Sequence, residues 1–299
     1  MEPVTSVSTI DFHVTSECNQ ECTYCWGPKD VAEVDTDTAR AIVAKIAALA
    51  RRIVFTGGDP LKRKDVGSLI HLAKRSGLEV ALSTTGDELT EAFLAEYGSS
   101  IDLLSLPLDG ASEGVSSRTK KPGHFDAVMV ALDMLAAHPS IDVKVCTPVT
   151  RSNVEDVPNI ARLLDERAER MPNRLFYNVF QAFPRSTDPT VDWDAIVVSD
   201  EDFLAARSAV EATPHRYRIN WLGHGTLDGL YVMVFPDGTL TVPSGGRYVS
   251  YGSFLEVPDL GALLERSGFD TVKHQRHAEG WSGVSVEAIN PPSRSRVPR

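Results

Sequence analysis

Apolar positions in the first two thirds of the chain switch repeatedly between two periods. Short apolar or alternating runs predict strands at residues 10–14, 52–55, 79–83, 101–108, 141–149 and 174–180. Between them, apolar residues spaced three and four apart predict helices at 37–49, 64–76, 91–97, 125–137 and 154–169, the first with Thr36 or Asp37 as its cap. Six alternations of this kind predict an α/β fold with a parallel sheet and crossover helices. In parallel βα units the chemistry sits at the carboxyl ends of the strands. Four loops would therefore share one rim: a cysteine-bearing loop after residue 14, residues 56–60, 83–86 and 108–110.

Beyond Phe180 the pattern changes. Residues 184–193 read as a loop, 200–210 as a helix, 231–235 and 239–242 as a hairpin across Pro236-Asp237-Gly238, and 260–266 as a short helix. Residues 290–299 hold Pro, Ser and Arg with few apolar positions and read as a disordered tail.

Composition narrows the class without naming a function. A chain of 299 residues, 42% apolar and 24% charged, has enough material for a substantial core. It is neither collagen-like, disulfide-dense nor mostly disordered. The net charge of −11 lacks the basic footprint of a nucleic-acid binder, though an anionic small substrate remains open. No apolar run approaches the ~20 residues of a membrane span. Residues 1–8 show no secretion signal, so the cytoplasm is the expected compartment and no membrane partner is expected.

The cysteines carry the chemistry. Cys18, Cys22 and Cys25 lie in one short polar loop, and Cys146 stands apart. In a reducing compartment such a group reads as a metal or redox site. Thiolates are the usual ligands of iron–sulfur clusters, and three on a four-iron cluster leave one iron open. Two other readings stand beside it: a zinc site with His13 as fourth ligand, and a chance grouping of cysteines.

The spacing Cys18-x3-Cys22-x2-Cys25, with Tyr24 before the third cysteine, resembles the radical S-adenosylmethionine (radical SAM) enzymes. Thr56-Gly57-Gly58-Asp59-Pro60 is similar to that superfamily's Gly-Gly-Glu-Pro segment, with Asp59 in place of glutamate. Ser83-Thr84-Thr85-Gly86 stands where a ribose-binding segment is usual. Leu106-Pro107-Leu108-Asp109-Gly110 resembles its fourth-strand pattern, and Arg118 lies in a stretch that often supplies an arginine for the SAM carboxylate. The resemblance implies a partial (β/α)6 TIM-like barrel with a C-terminal extension. It implies a [4Fe-4S] cluster on Cys18, Cys22 and Cys25, and SAM held by Tyr24, Gly57, Gly58, Asp59, Thr84, Thr85, Asp109 and Arg118. Lys120 and Lys121 are alternative partners of the carboxylate. It also implies an external one-electron reductant of flavodoxin or ferredoxin type, and a 5′-deoxyadenosyl radical as reactive species. Gly57 and Gly58 would let backbone approach the ligand closely. The organisation expected is a core at 1–183, an extension over the barrel mouth at 184–289, and the tail at 290–299.

Within that superfamily the chain most resembles the viperin-like nucleotide dehydratases, from about Ile10 to Trp281. Asn178-Val179-Phe180-Gln181, Ser199–Phe203 and Ser267-Gly268-Phe269-Asp270 carry that resemblance. Lys144 fits a basic position of those enzymes, but Asn178 stands where a lysine is expected and Cys146 where an asparagine is. Fewer lysines mean fewer charge-assisted bonds to a triphosphate. A nucleoside, nucleotide or sugar-like small molecule is the expected substrate, with dehydration, decarboxylation or epimerisation as in natural-product biosynthesis, by a lyase or oxidoreductase. Lys144 and Cys146 are the candidate catalytic residues. Gln181, Arg185, Arg247 and His224 are further candidates for substrate contact. A peptide-modifying enzyme and a non-catalytic metal-binding module are the alternatives; no auxiliary cluster or added N-terminal recognition domain is expected.

Overall fold

The computed structural model describes residues 7–184, 191–224 and 229–279. Arg185 and the tail at 290–299 lie outside the described residues. Ten strands form one sheet, interleaved with helices: β1 (Val7–Thr15), α1 (Thr36–Leu49), β2 (Ala50–Gly57), α2 (Val66–Arg75), β3 (Glu79–Ser83), α3 (Glu91–Tyr97), β4 (Leu103–Pro107), α4 (Glu113–Ser116), α5 (His124–Ala136), β5 (Asp142–Val149), α6 (Val157–Ala168) and β6 (Leu175–Gln181). There follow α7 (Trp193–Ile196), α8 (Asp200–Glu211), β7 (Arg218–Leu222), β8 (Met233–Val234), β9 (Thr239–Ser244), β10 (Arg247–Ser253), α9 (Leu260–Arg266) and α10 (Thr271–Glu279).

The strand order is β10-β9-β8-β1-β2-β3-β4-β5-β6-β7. From β1 to β7 each strand pairs in parallel with the next. One cavity touches residues of β1 through β6 and of α10, so the sheet curls around it as a partial TIM-like barrel. β7 and β10 are its edges. The strands alternate as their sequence pattern requires. Phe12, Phe55, Leu82, Leu104, Val145 and Val179 face the helices in the main core, whereas Asp11, Ser83, Ser105, Lys144, Cys146 and Asn178 face the cavity.

Several details differ from the sequence expectation. The cap of α1 is Asp35, whose carboxylate accepts from the Thr38 N–H at 2.7 Å. A seventh parallel strand, β7, extends the core sheet beyond β6, and β8 joins it at β1, in parallel. The stretch after residue 183 thus continues the same sheet at both edges. β10 escaped notice because its face is mostly exposed; His274 and His277, three apart as on one face of a helix, do lie on a helix, α10, with His274 and Ala278 buried. No helix among the described residues is long and apolar enough to cross a membrane.

Candidate active site

The cysteine loop between β1 and α1 is pinned from several sides. The Ser16 hydroxyl donates to the Val31 carbonyl at 2.8 Å and accepts from the Val31 N–H at 3.2 Å. The Gln20 amide donates to Asp87 at 2.6 Å, and its oxygen accepts from the Lys121 N–H at 2.8 Å. Tyr248 of β10 donates to the Trp26 carbonyl at 2.5 Å.

The loop after β2 is stitched directly to it. Gly58 N–H donates to the Thr15 carbonyl at 2.8 Å, and Asp59 N–H to the Glu17 carbonyl at 2.7 Å. A Cβ on Gly58 would lie 2.2 Å from the Glu17 oxygen. One on Gly57, whose φ is +142°, would lie 2.2 Å from the Thr15 oxygen. Both glycines line the cavity, and each is also required by its close approach to the backbone of Thr15 or Glu17.

The cavity, of about 330 Å³, brings together Cys18, Cys22, Tyr24, Cys25, Gly57, Gly58, Thr84, Thr85, Lys144 and Cys146. Three other residues assigned to SAM from sequence do not line it. Asp59 is fully buried, and its carboxylate accepts from the Leu61 N–H at 3.0 Å and from the Thr84 and Thr85 hydroxyls. It aligns the two threonines from behind. Asp109 is also fully buried; one of its oxygens accepts from the Tyr24 hydroxyl and, at 2.6 Å, from the Thr119 hydroxyl. Arg118 turns outward and donates to the Ser152 carbonyl at 3.0 Å. Lys120, two residues on, enters instead: its ammonium lies 3.1 Å from the Cys22 sulfur and 5.4 Å from the Tyr24 ring centre.

Burial sets the charges. It raises the Cys18 and Cys25 thiols, so iron binding must displace their protons. Burial pushes Lys120 down, but the Asp109 carboxylate and the Cys22 sulfur more than reverse this, and the ammonium persists. Burial pushes the His13 pKa to about 4, so the ring is neutral near pH 7. Deeper in the barrel, burial raises Asp11 to about 7 against the pull of Lys144. Lys144 itself is lowered by burial. Asp11 was missed from sequence, although the alternation Ile10-Asp11-Phe12-His13-Val14 marks it as an inward polar position.

Of the further candidates, Asn178 lines the cavity and accepts from the Asn220 amide at 2.8 Å. Gln181 and His224 do not line it. The Gln181 amide donates to Asp200 at 2.7 Å and its oxygen accepts from the His224 N–H, so the pair braces the loop after β6. Arg247 lies on β10 and is exposed. Trp26, Phe180, Tyr231 and Tyr248 form an aromatic wall that the sequence did not announce.

The donor set fits an iron–sulfur cluster. Three thiols face one cavity end, with an ammonium beside one of them. Cys18, Cys22 and Cys25 would supply the thiolates that hold the cluster.

The comparisons agree with this geometry. The model of the radical SAM superfamily matches residues 12–164. An S-adenosylmethionine-dependent nucleotide dehydratase of Lacinutrix mariniflava is 27% identical over 91% of this chain and 61% of its own length. A protein of the same description from Flammeovirga pacifica is 24% identical over 84% of this chain and 88% of its own. This chain thus spans less than two thirds of the first relative and most of the second. Streptococcus suis SuiB bound to S-adenosylmethionine shares the fold, with a TM-score of 0.64 over 91% of this chain and 68% of SuiB at 11% identity. With over half of its length matched by the family model, and three cysteines set at one end of a barrel cavity, the chain belongs to the radical SAM superfamily.

Proposed function

We propose that this chain is a radical SAM enzyme that acts on a small nucleoside- or nucleotide-like molecule and removes a hydroxyl as water, as a lyase. One observation carries the reading: the three cysteines, Thr84, Thr85 and Lys120 share a single cavity with Asp11, Lys144, Cys146 and Asn178. Cys18, Cys22 and Cys25 would hold a [4Fe-4S] cluster. When bound, cluster and SAM supply the 5′-deoxyadenosyl radical that abstracts hydrogen from the substrate. Lys120 offers its ammonium to the SAM carboxylate, and Thr84 and Thr85, fixed by Asp59, offer an edge for the ribose. The aromatic wall of Trp26, Phe180, Tyr231 and Tyr248 shields the reacting centre from water. Lys144 and Cys146 sit beyond the cofactor end, where a substrate would lie. A flavodoxin- or ferredoxin-type protein is the reductant that this chemistry requires. Free thiols at all four cysteines go with a cytoplasmic setting. The dehydratase relatives support loss of water over decarboxylation or epimerisation.

The test is 5′-deoxyadenosine formation by anaerobically reconstituted protein with SAM and dithionite. The protein with Cys18, Cys22 and Cys25 all changed to Ala serves as control. Product from the wild type alone supports the reading. A brown, iron-replete protein that neither binds SAM nor forms product refutes it and leaves the cysteines as a non-catalytic module.

A further inference from the structure

The cavity extends well below the cysteines. Its inward positions descend β1 from His13 to Asp11 to Thr9, and His274, His277 and Ala278 of α10 close the floor. At ~3.3 Å per residue, Asp11 lies roughly 13 Å along β1 from Thr15, where the cysteine loop begins. This leaves a lower chamber with Asp11 on one strand and Lys144, Cys146 and Asn178 on strands across the barrel. Phe180, Tyr231 and Met233 add flat or apolar surface above it.

Away from the cofactor end, one ammonium and one carboxyl group share this chamber. Among the described lining residues the cations are Lys120 and Lys144, and Asp11 is the carboxylate. Lys120 is engaged by Cys22 at the cofactor end. The histidines that share the cavity with Asp11, His13 of its own strand and His274 and His277 of α10, are held neutral by burial. Arg52 of β2 is committed to Glu79 at 2.6 Å and to the Ala278 carbonyl. A triphosphate would bring several negative charges against one ammonium and one carboxylate. Charged groups so buried without matching partners are strongly disfavoured.

We infer that Asp11 and Lys144 form an anchor that selects an uncharged ribonucleoside, with Asp11 accepting hydrogen bonds from the vicinal ribose hydroxyls, and that the same group, once ionised, turns away nucleoside triphosphates. The inference rests on the reading of this cavity as a SAM-fuelled active site. A carboxylate facing two neighbouring hydroxyls is an established way for a protein to hold a ribose. Discrimination arises as much from the repulsive carboxylate as from the attractive bonds. Two hydroxyl donors favour the ionised acid, so binding releases protons near pH 7 and affinity rises as pH climbs through about 7.

The experiment is calorimetric binding to cluster-loaded protein saturated with SAM. The probes are cytidine, uridine, adenosine and guanosine, their triphosphates and their 2′,3′-dideoxy forms. At least one ribonucleoside should bind about tenfold tighter than both its triphosphate and its dideoxy form, the equivalent of ~1.4 kcal/mol. Asp11→Asn should erase the ribo-over-dideoxy preference and narrow the triphosphate gap. Lys144→Gln should weaken binding yet keep the ribo preference. Iron content and SAM binding serve as controls for folding; if Asp11→Asn fails them, the wild-type ranking and Asp11→Ser decide. A triphosphate that binds more tightly, a ribo preference that survives Asp11→Asn, or no ribonucleoside bound while 5′-deoxyadenosine is still formed overturns the inference alone. Loss of SAM binding by the wild type overturns the reading beneath it.

Discussion

Asp109 tests whether the cofactor end is held from behind its wall. Its carboxylate does not line the cavity, yet it fixes Tyr24 of the cysteine loop and Thr119 beside Lys120. Its other oxygen has no hydrogen-bond partner, so Asp109→Asn retains the shape and the shared acceptor. A hydrogen bond to a charged group contributes about 1.5–3 kcal/mol and a neutral one about 1 kcal/mol. Two such bonds weakened together lose ~2 kcal/mol. The buried Lys120 ammonium also loses the longer-range attraction of that carboxylate, which costs less than the about 3–5 kcal/mol of breaking a direct buried pair. The Cys22 sulfur, 3.1 Å from that ammonium, retains part of this. The expected loss is therefore ~3–4 kcal/mol for Asn. Asp109→Ala would strand both hydroxyls too, and it approaches the whole ~5–15 kcal/mol stability of a domain.

The assay is urea unfolding of the iron-free protein, followed by SAM binding to the cluster-loaded protein. Asp109→Asn should unfold at lower urea, while the fraction that folds and loads iron binds SAM within about threefold of wild type, under ~0.7 kcal/mol. The reasoning is refuted by the opposite split. Unchanged unfolding with SAM affinity down by more than about tenfold would mean that Asp109 touches SAM directly.

Three further outcomes follow from the same geometry. Gly58→Ala puts a Cβ 2.2 Å from the Glu17 oxygen, so the two loops must part; iron bound per chain after reconstitution should fall well below wild type. Arg118→Ala should leave SAM affinity unchanged and cost under ~0.5 kcal/mol, as exposed substitutions do, whereas Lys120→Gln should weaken SAM binding about tenfold in equilibrium dialysis. Asp11, raised to about 7 by burial, binds its proton more tightly folded than unfolded, so its contribution turns against folding as pH rises from about 4 to about 7. At ~1.36 kcal/mol per pKa unit, and about halved because the carboxyl still faces the cavity, wild type should lose ~2 kcal/mol relative to Asp11→Asn between pH 4.5 and 7.5 in urea titrations.

The βα alternation was legible because each crossover helix and each buried strand carries its own period. β3, α3 and α9 begin and end where the pattern places them. β7 and β10 were not legible. Arg218-Ile219-Asn220-Trp221 does alternate and sends Ile219 and Trp221 into the core, but four positions are too few for the period to stand out; β10 is a largely exposed edge without a one-sided apolar face. The cysteines and the two threonines were readable as chemistry and do face the cavity.

What the sequence could not separate was facing a ligand from supporting the wall that faces it. Arg118 and Lys120 lie two residues apart in an irregular stretch, and packing alone decides which enters. The Asp109–Tyr24–Thr119 contacts draw Lys120 inward, while Ser152 draws Arg118 out. Asp59 makes the same point at the motif where a glutamate is usual. Its carboxylate reaches the Leu61 N–H, the Thr84 hydroxyl at 2.8 Å and the Thr85 hydroxyl, all from a fully buried position. A side chain one methylene longer would push those threonines into the cavity or break the Leu61 contact. The shorter acid is thus matched to the Thr84-Thr85 pair it holds, so its departure from the usual glutamate belongs to one packing solution with those threonines.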